Sequence, residues 1–210
     1  MVSDVDMAKS MPGQALGGVM VAQVSRVDDP EGLGRVIVLL QGGDGPMESG
    51  WLPVMSFYGG PDGGAFFLPK EGDSVLVGFA AGDARQAFVL GFLWNGGIKP
   101  PIEDAARHQE VRVIKTRQGK QLIFDDSKEG QLTLIDEHQN KVQIDSAKNH
   151  IAVESKGDVT ITAANTMTLR ANKLMLQNSS GTVRLELGAN GLQAIGGASM
   201  KLSAAVIDLN

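Results

Sequence analysis

Residues 157–181 read GDVTITAANTMTLRANKLMLQNSSG. Apolar residues come here in alternating pairs: Val159 and Ile161, Met167 and Leu169, Leu174 and Leu176. Ala, Asn, Thr and Lys fill the positions between. Each pair reads as a very short strand with one apolar face. The stretch offers no second layer for those faces to pack on. What covers them decides the fold.

The same pattern extends on both sides. Pairs recur at Leu122/Phe124, Leu132/Leu134, Val142/Ile144 and Ile151/Val153, then at Val183/Leu185/Leu187, Leu192/Ala194, Met200/Leu202 and from Val206 to Leu209. Turn clusters (DSKEG, EHQN, SAKN, SKGD, NSSG, GANG) separate them. The interval is about seven to ten residues, in the range of short β-helix repeats, and about eleven strands can be counted. One chain of this kind makes few coils and carries few large residues to fill them. Three copies wound about one axis solve the problem, because the apolar faces then meet one another. In that arrangement each face of a triangular prism is a stack of strands from all three subunits. The residues expected on the axis are Val142, Ile144, Ile151, Val153, Val159, Ile161, Met167, Leu169, Leu174, Leu176, Leu185, Met200 and Leu202. Thr160, Thr162, Thr166, Thr168 and Lys173 face water, and threonine is a good strand former that tolerates exposure.

Before residue 100 the composition differs. Nine of the ten aromatic residues lie there: Trp51, Phe57, Tyr58, Phe66, Phe67, Phe79, Phe88, Phe92 and Trp94. Aromatic side chains fill cores, so this half is expected to build its own. It reads as five strands with glycine-rich turns, which fits a small closed barrel such as an OB-fold. NGGIKPPIED marks the change with Gly96, Gly97, Pro100 and Pro101. The expected organisation is an N-terminal arm at 1–17, an OB-fold domain at 18–97, a linker at 98–115 and a β-helix spike at 116–210. The best helix candidate is a short, weakly patterned one at 103–111. The fold class is all-β.

The bulk numbers narrow the function. The net charge is -5, and only Arg26, Arg35, Lys70 and Arg85 are basic between residues 19 and 95. That argues against the basic groove of an OB-fold that binds nucleic acid. No cysteine is present, so no disulfide framework or thiolate metal site is expected. The first eighteen residues, MVSDVDMAKSMPGQALGG, lack a basic region followed by an apolar run, so no signal peptide is expected. His108, His138 and His150 are far apart and sit in turn-like contexts. The carboxylate pairs Asp125/Asp126 and Asp136/Glu137 are sequence neighbours, which point to opposite faces of a strand and make poor acid–base dyads. The glycine clusters QGGDGP and GGPDGG lack the helix and the Gly-Lys-Ser/Thr ending of a phosphate loop, and read as hairpin turns. No catalytic, cofactor-binding or metal-binding residue is assigned.

Several segments together carry a resemblance. DPEGLGRVIV, WLPVMSFYGGPDGGAFFLPKEGDSVLVGF and GDARQAFVLGFLW resemble the OB-fold domain of the phage baseplate assembly protein V and VgrG-like spike family. Asp29, Pro30, Gly34, Arg35 and Val36 match its first strand. Trp51, Pro53 and Val54 match the second piece, and Leu68, Pro69, Gly72, Asp73, Val75, Val77 and Phe79 the third. Gly82, Asp83, Val89 and Gly91 match the last. VIKTRQGKQLIFDD resembles the segment leading into that family's trimeric β-helix. The resemblance implies an OB-fold followed by an intertwined trimeric β-helix needle, acting as the central spike of a contractile injection machine. It implies a hub protein at the OB-fold end and transient contact with a target membrane. It also implies a place in a phage tail, tailocin or extracellular injection particle, which together with the expected lack of a signal peptide gives assembly in the cytoplasm as the expectation. Some members hold iron with a His-x-His pair near the tip, but no histidine follows His150. Some carry a lysozyme domain between barrel and needle, for which residues 98–115 leave no room. Members without a metal-sharpened point are capped by a PAAR-like protein. Here such a cap is expected on Ala204, Ala205, Val206, Ile207, Asp208, Leu209 and Asn210. A β-helix acyltransferase or polysaccharide lyase fused to a small barrel is the competing reading, and an adhesin tip a third. The uneven intervals speak against the first, and the lack of aromatics after Phe124 against the second.

Overall fold

Alternation along the first strand sets the inner wall of the N-terminal domain. The computed structural model describes residues 18–42, 45–201, 203, 204 and 206. In β1 (Val19–Arg26), Ala22 and Val24 are buried while Val19 and Val21 face out. β1 pairs antiparallel with β2 (Ile37–Gly42), and β2 with β3 (Gly45–Glu48). On its other edge β1 pairs with β6 (Ser74–Phe79), and β6 with β7 (Ala87–Phe92). The five-stranded order is β3-β2-β1-β6-β7. A small hairpin, β4 (Gly59–Gly60) and β5 (Gly63–Gly64), projects from the stretch between β3 and β6.

These ladders do not close the sheet, as the sequence reading expects of a barrel. Two single bridges through residues 51–54 link its two sides instead: Val36 pairs with Leu52, and Val54 with Val89. The backbone bonds are short and mutual, Val36 N to Leu52 O at 2.9 Å and Val89 N to Pro53 O at 2.9 Å. The core enclosed this way is aliphatic: Val24, Val36, Val38, Leu40, Leu52, Val75, Val77 and Val89. Of the nine aromatics expected to fill it, only Phe79 is a core residue. So small a sheet fills its interior mainly with aliphatic side chains, and Phe57, Tyr58, Phe66, Phe67, Phe92 and Trp94 are exposed.

Sequence motif and local geometry agree in the β1–β2 loop. Asp29, almost fully buried, accepts from the backbone N–H of Glu31, Leu33 and Arg35. Its carboxylate also takes the Arg35 guanidinium at 3.0 and 2.7 Å. Gly34, at φ +70, lies under Phe66, whose ring an added Cβ would meet at 3.3 Å.

Residues 105–107 form one short 3-10 turn, capped by the Asp104 carboxylate, in place of the helix candidate. A second five-stranded antiparallel sheet follows: β8 (Val111–Lys115), β9 (Gln121–Asp125), β10 (Gln131–Ile135), β11 (Lys141–Asp145) and β12 (His150–Glu154). β8 thus occupies part of the stretch read as linker. Each strand pairs with the next within the chain. The sequence reading has the strands of a face coming from different chains, and for β8–β12 that is corrected here. The reason is in the turns. Aspartates at the strand ends fold the chain straight back: Asp125 accepts from Ser127 N, Asp136 from His138 N and Asn140 N, Asp145 from Lys148 N. Arg117 donates to Asp73 at 2.6 Å, tying the β8–β9 turn to the loop before β6.

The chain divides into two units, Met1–Glu154 and Ser155–Asn210. In the second, β13 (Leu174–Gln177), β14 (Arg184–Gly188) and β15 (Gly191–Ile195) make a three-stranded antiparallel sheet. Residues 156–173 are exposed throughout and form no strand.

Candidate functional site

Register decides what each face of β8–β12 carries. One row across the five strands reads Ile114, Leu122, Leu134, Val142, Val153. The neighbouring row on the same face reads Arg112, Phe124, Leu132, Ile144, Ile151. Nine of ten side chains are apolar, and the exception is at the end. Arg112 turns back, its Nη1 donating to the carbonyls of Gln109 and Val111. Among the described residues nothing covers this face: Ile151 is 68% exposed, Val153 64% and Leu134 56%. The opposite face carries Val113, Gln121, Ile123, Gln131, Thr133 and Gln143. There Pro101, Ile102 and Arg107 line a shallow cavity over the first strands.

The three-stranded sheet repeats the design. Leu174, Leu187 and Leu192 form one row, and Leu176, Leu185 and Ala194 the next. Met175, Glu186 and Gln193 lie on the reverse, where Lys173 pairs with Glu186 at 2.7 Å.

Of the residues expected on an axis, Val142, Ile144, Ile151 and Val153 share the open face of β11 and β12. Leu174, Leu176 and Leu185 share that of β13 and β14. Val159, Ile161, Met167 and Leu169 are exposed in the strandless stretch, and Met200 is exposed outside any strand. Leu202 lies outside the described residues. Ile114, Leu122, Phe124, Leu132, Leu134, Leu187 and Leu192 stand on the same faces, yet the expected axis set omits them. Their period-2 alternation is the signal that finds them. At the C-terminus, Ala204 and Val206 are exposed. Ala205, Ile207, Asp208, Leu209 and Asn210 lie outside the described residues, as does the arm at 1–17.

A third apolar surface belongs to the N-terminal domain. Phe57 is 82% exposed and stacks on Phe67 with ring centroids 6.1 Å apart. Met55, Tyr58 and Phe66 are exposed beside them around the β4–β5 hairpin. The GGPDGG cluster forms that hairpin, with Asp62 at φ 61.

The carboxylates and histidines do local work. The Asn140 amide holds Asp136 below the usual carboxylate range. The Lys120 ammonium does the same for Glu137, and the Lys148 ammonium for Asp145. Asp125 is lowered first by Ser127 and then by Arg107. A general acid needs the opposite shift. The His108 ring Nε2 sits 2.9 Å from the Ile102 carbonyl. Among the described residues no cluster of three His, Asp or Glu side chains is placed to hold a metal ion, and no helix is long and apolar enough to cross a membrane.

Comparison with known proteins adds a family to this geometry. Residues 20–94 match the family model of the type VI secretion system/phage-baseplate injector OB domain. No curated protein matches the chain. The matched span begins in β1 and ends just after β7, and contains the Asp29–Arg35 loop and the bridges that link β2 to β7. Over residues 20–94, then, the chain is similar to the OB domain of type VI secretion system and phage-baseplate injectors.

Proposed function

We propose that the protein is the structural central spike of a contractile injection machine, working as a homotrimer. The observation that carries this reading is the open face of β8–β12, two continuous apolar rows without a covering layer. Exposed apolar patches of such extent mark interfaces. A three-fold arrangement turns three identical faces toward one axis and leaves the polar reverse faces in water. Each β8–β12 sheet then supplies one side of a prism from a single chain. Intertwining is confined to residues 156–173, where an extended chain bearing Val159, Ile161, Met167 and Leu169 has no strand partner of its own.

Stiffness is the useful property of such a needle. Backbone groups paired along every strand cannot shear singly, so thrust from a contracting sheath passes to the tip and through a target envelope without any chemical step. The exposed aromatics around β4–β5 suit a seat on a hub protein, since rigid aromatic side chains anchor interfaces. The C-terminal residues 204–210 suit a PAAR-like tip protein. The competing reading, an enzyme on a β-helix, has no converging pair of proton-transfer groups among the described residues in its favour.

Imaging an injection particle assembled with a tagged copy of this chain tests the proposal. Three tags on the tail axis, below the tube, are expected. Tags on the periphery, or a particle that assembles and injects without the chain, contradict it.

A further inference from the structure

The chain holds two Asn-Gly steps, Asn95–Gly96 and Asn190–Gly191, and the fold treats them oppositely. Asn95 is pinned. Its Nδ2 donates to Ser74 Oγ at 2.8 Å, and its Oδ1 accepts from Gly97 N at 2.8 Å and Ile98 N at 2.9 Å. Asn190 sits in the two-residue turn between β14 and β15, closed by the Gly188–Gly191 pair, and is exposed. Among the described residues its side chain makes no hydrogen bond. Gly191 stands at φ +102 with no atom within 4 Å of where a Cβ would be, so no side chain packs over the turn.

We propose that Asn190 is a site of spontaneous deamidation that ages this hairpin, while Asn95 is protected by its hydrogen bonds. The Gly191 backbone nitrogen, once it loses its proton, attacks Cγ of Asn190. A new C–N bond forms, the Cγ–Nδ2 bond breaks, and Nδ2 leaves as ammonia with a proton from water. The resulting five-membered imide is opened by water at either carbonyl, giving aspartate or isoaspartate. The net change is amide plus water to carboxylate plus ammonium, with no oxidant or cofactor. Both glycines lack the Cβ that slows ring closure elsewhere, so geometry alone separates the two sites. Isoaspartate places an extra methylene in the main chain of a turn where Gly188 pairs directly with Gly191. A slip there moves Leu192 out of register with Leu187, because side chains alternate faces at every residue. Either product adds a negative charge beside that apolar row. The inference does not depend on the spike reading.

The full-length chain is incubated at mildly alkaline pH, digested, and followed by mass spectrometry of the peptides that contain each asparagine. Asn190 is expected to gain the mass of an amide-to-acid conversion, faster as pH rises, while Asn95 keeps its amide. In denaturant both convert alike. Ser74→Ala frees Nδ2 of Asn95 and raises conversion there, and Asn190→Ser removes the reactive site from the hairpin. Equal rates in the folded chain, a stable Asn190, or an Asn95 that converts first each overturn the proposal.

Discussion

The molecule contains two antiparallel sheets of five strands, and only one of them hides its apolar face. In the N-terminal sheet Val36, Val38, Val75, Val77 and Val89 are essentially without solvent contact. In β8–β12 the corresponding side chains are open. The difference lies in regularity. β1 runs eight residues and shifts register between Val24 and Arg26, and the β6–β7 pair shifts between Leu76 and Val77. Such bulges bend a strand and raise its twist, so this sheet coils until residues 51–54 can link its two sides. β8–β12 are all five residues long, and their pairing is free of shifts. A short regular sheet stays open and keeps its side chains in straight rows. The first sheet is its own partner, and the second leaves its apolar rows open.

A charge on the open face breaks the comparison most severely. In the proposed trimer, Leu134→Asp puts one carboxylate per chain at the shared axis, at a cost on the order of several kcal/mol per ion. Assembly is expected to fail by light scattering. Gln143→Asp, on the reverse face of the same sheet, should leave it intact. Equal behaviour of the two variants means that the assignment of faces is wrong.

Cavity variants sharpen the contrast. Leu40→Ala in the closed core should cost about 2–5 kcal/mol, independently of protein concentration. Leu132→Ala on the open face should cost stability that depends on concentration, because the proposed assembly would link association to folding there. Denaturant melts at two concentrations separate these outcomes.

Acid acts on the N-terminal domain through Asp29. The Arg35 guanidinium and backbone N–H groups hold its carboxyl well below the ordinary 3.8. The folded form therefore binds the proton less readily than the unfolded one. The stabilisation is present above about pH 4 and is lost as pH falls toward the lowered folded value. Asp29→Asn should flatten that part of the acid unfolding curve, followed by the fluorescence of Trp51. An unchanged curve means that the β1–β2 loop does not depend on this charge.

The smallest effect is a gain. Ala81 is exposed in the turn between β6 and β7 at φ 53, a left-handed conformation that glycine adopts without strain. Ala81→Gly should stabilise by about 0.5–1 kcal/mol, seen as a small rise in melting temperature.

Much of this was legible in the residues. The period-2 pairs carry the signal for the open faces, since Leu122/Phe124 and Leu132/Leu134 point one way in any antiparallel register, although the expected axis set leaves these four out. The DPEGLGR segment announced the loop that Asp29 and Arg35 close. Alternation says which side a residue faces and is silent about which chain supplies the neighbouring strand. That choice rested on Asp125, Asp136 and Asp145, whose side chains tighten the turns into hairpins. The aromatics misled for a related reason. Phe57, Tyr58, Phe66 and Phe67 look like core by type, but a sheet this small fills its interior with valine and leucine. Their rings belong to a surface, which only geometry reveals.

The account rests on the open face of β8–β12 being covered by copies of the same chain. The native mass of the intact protein at micromolar concentration tests this most directly. Three times 22.1 kDa is predicted, with no folded monomer on dilution. A stable, well-folded species of 22.1 kDa contradicts it.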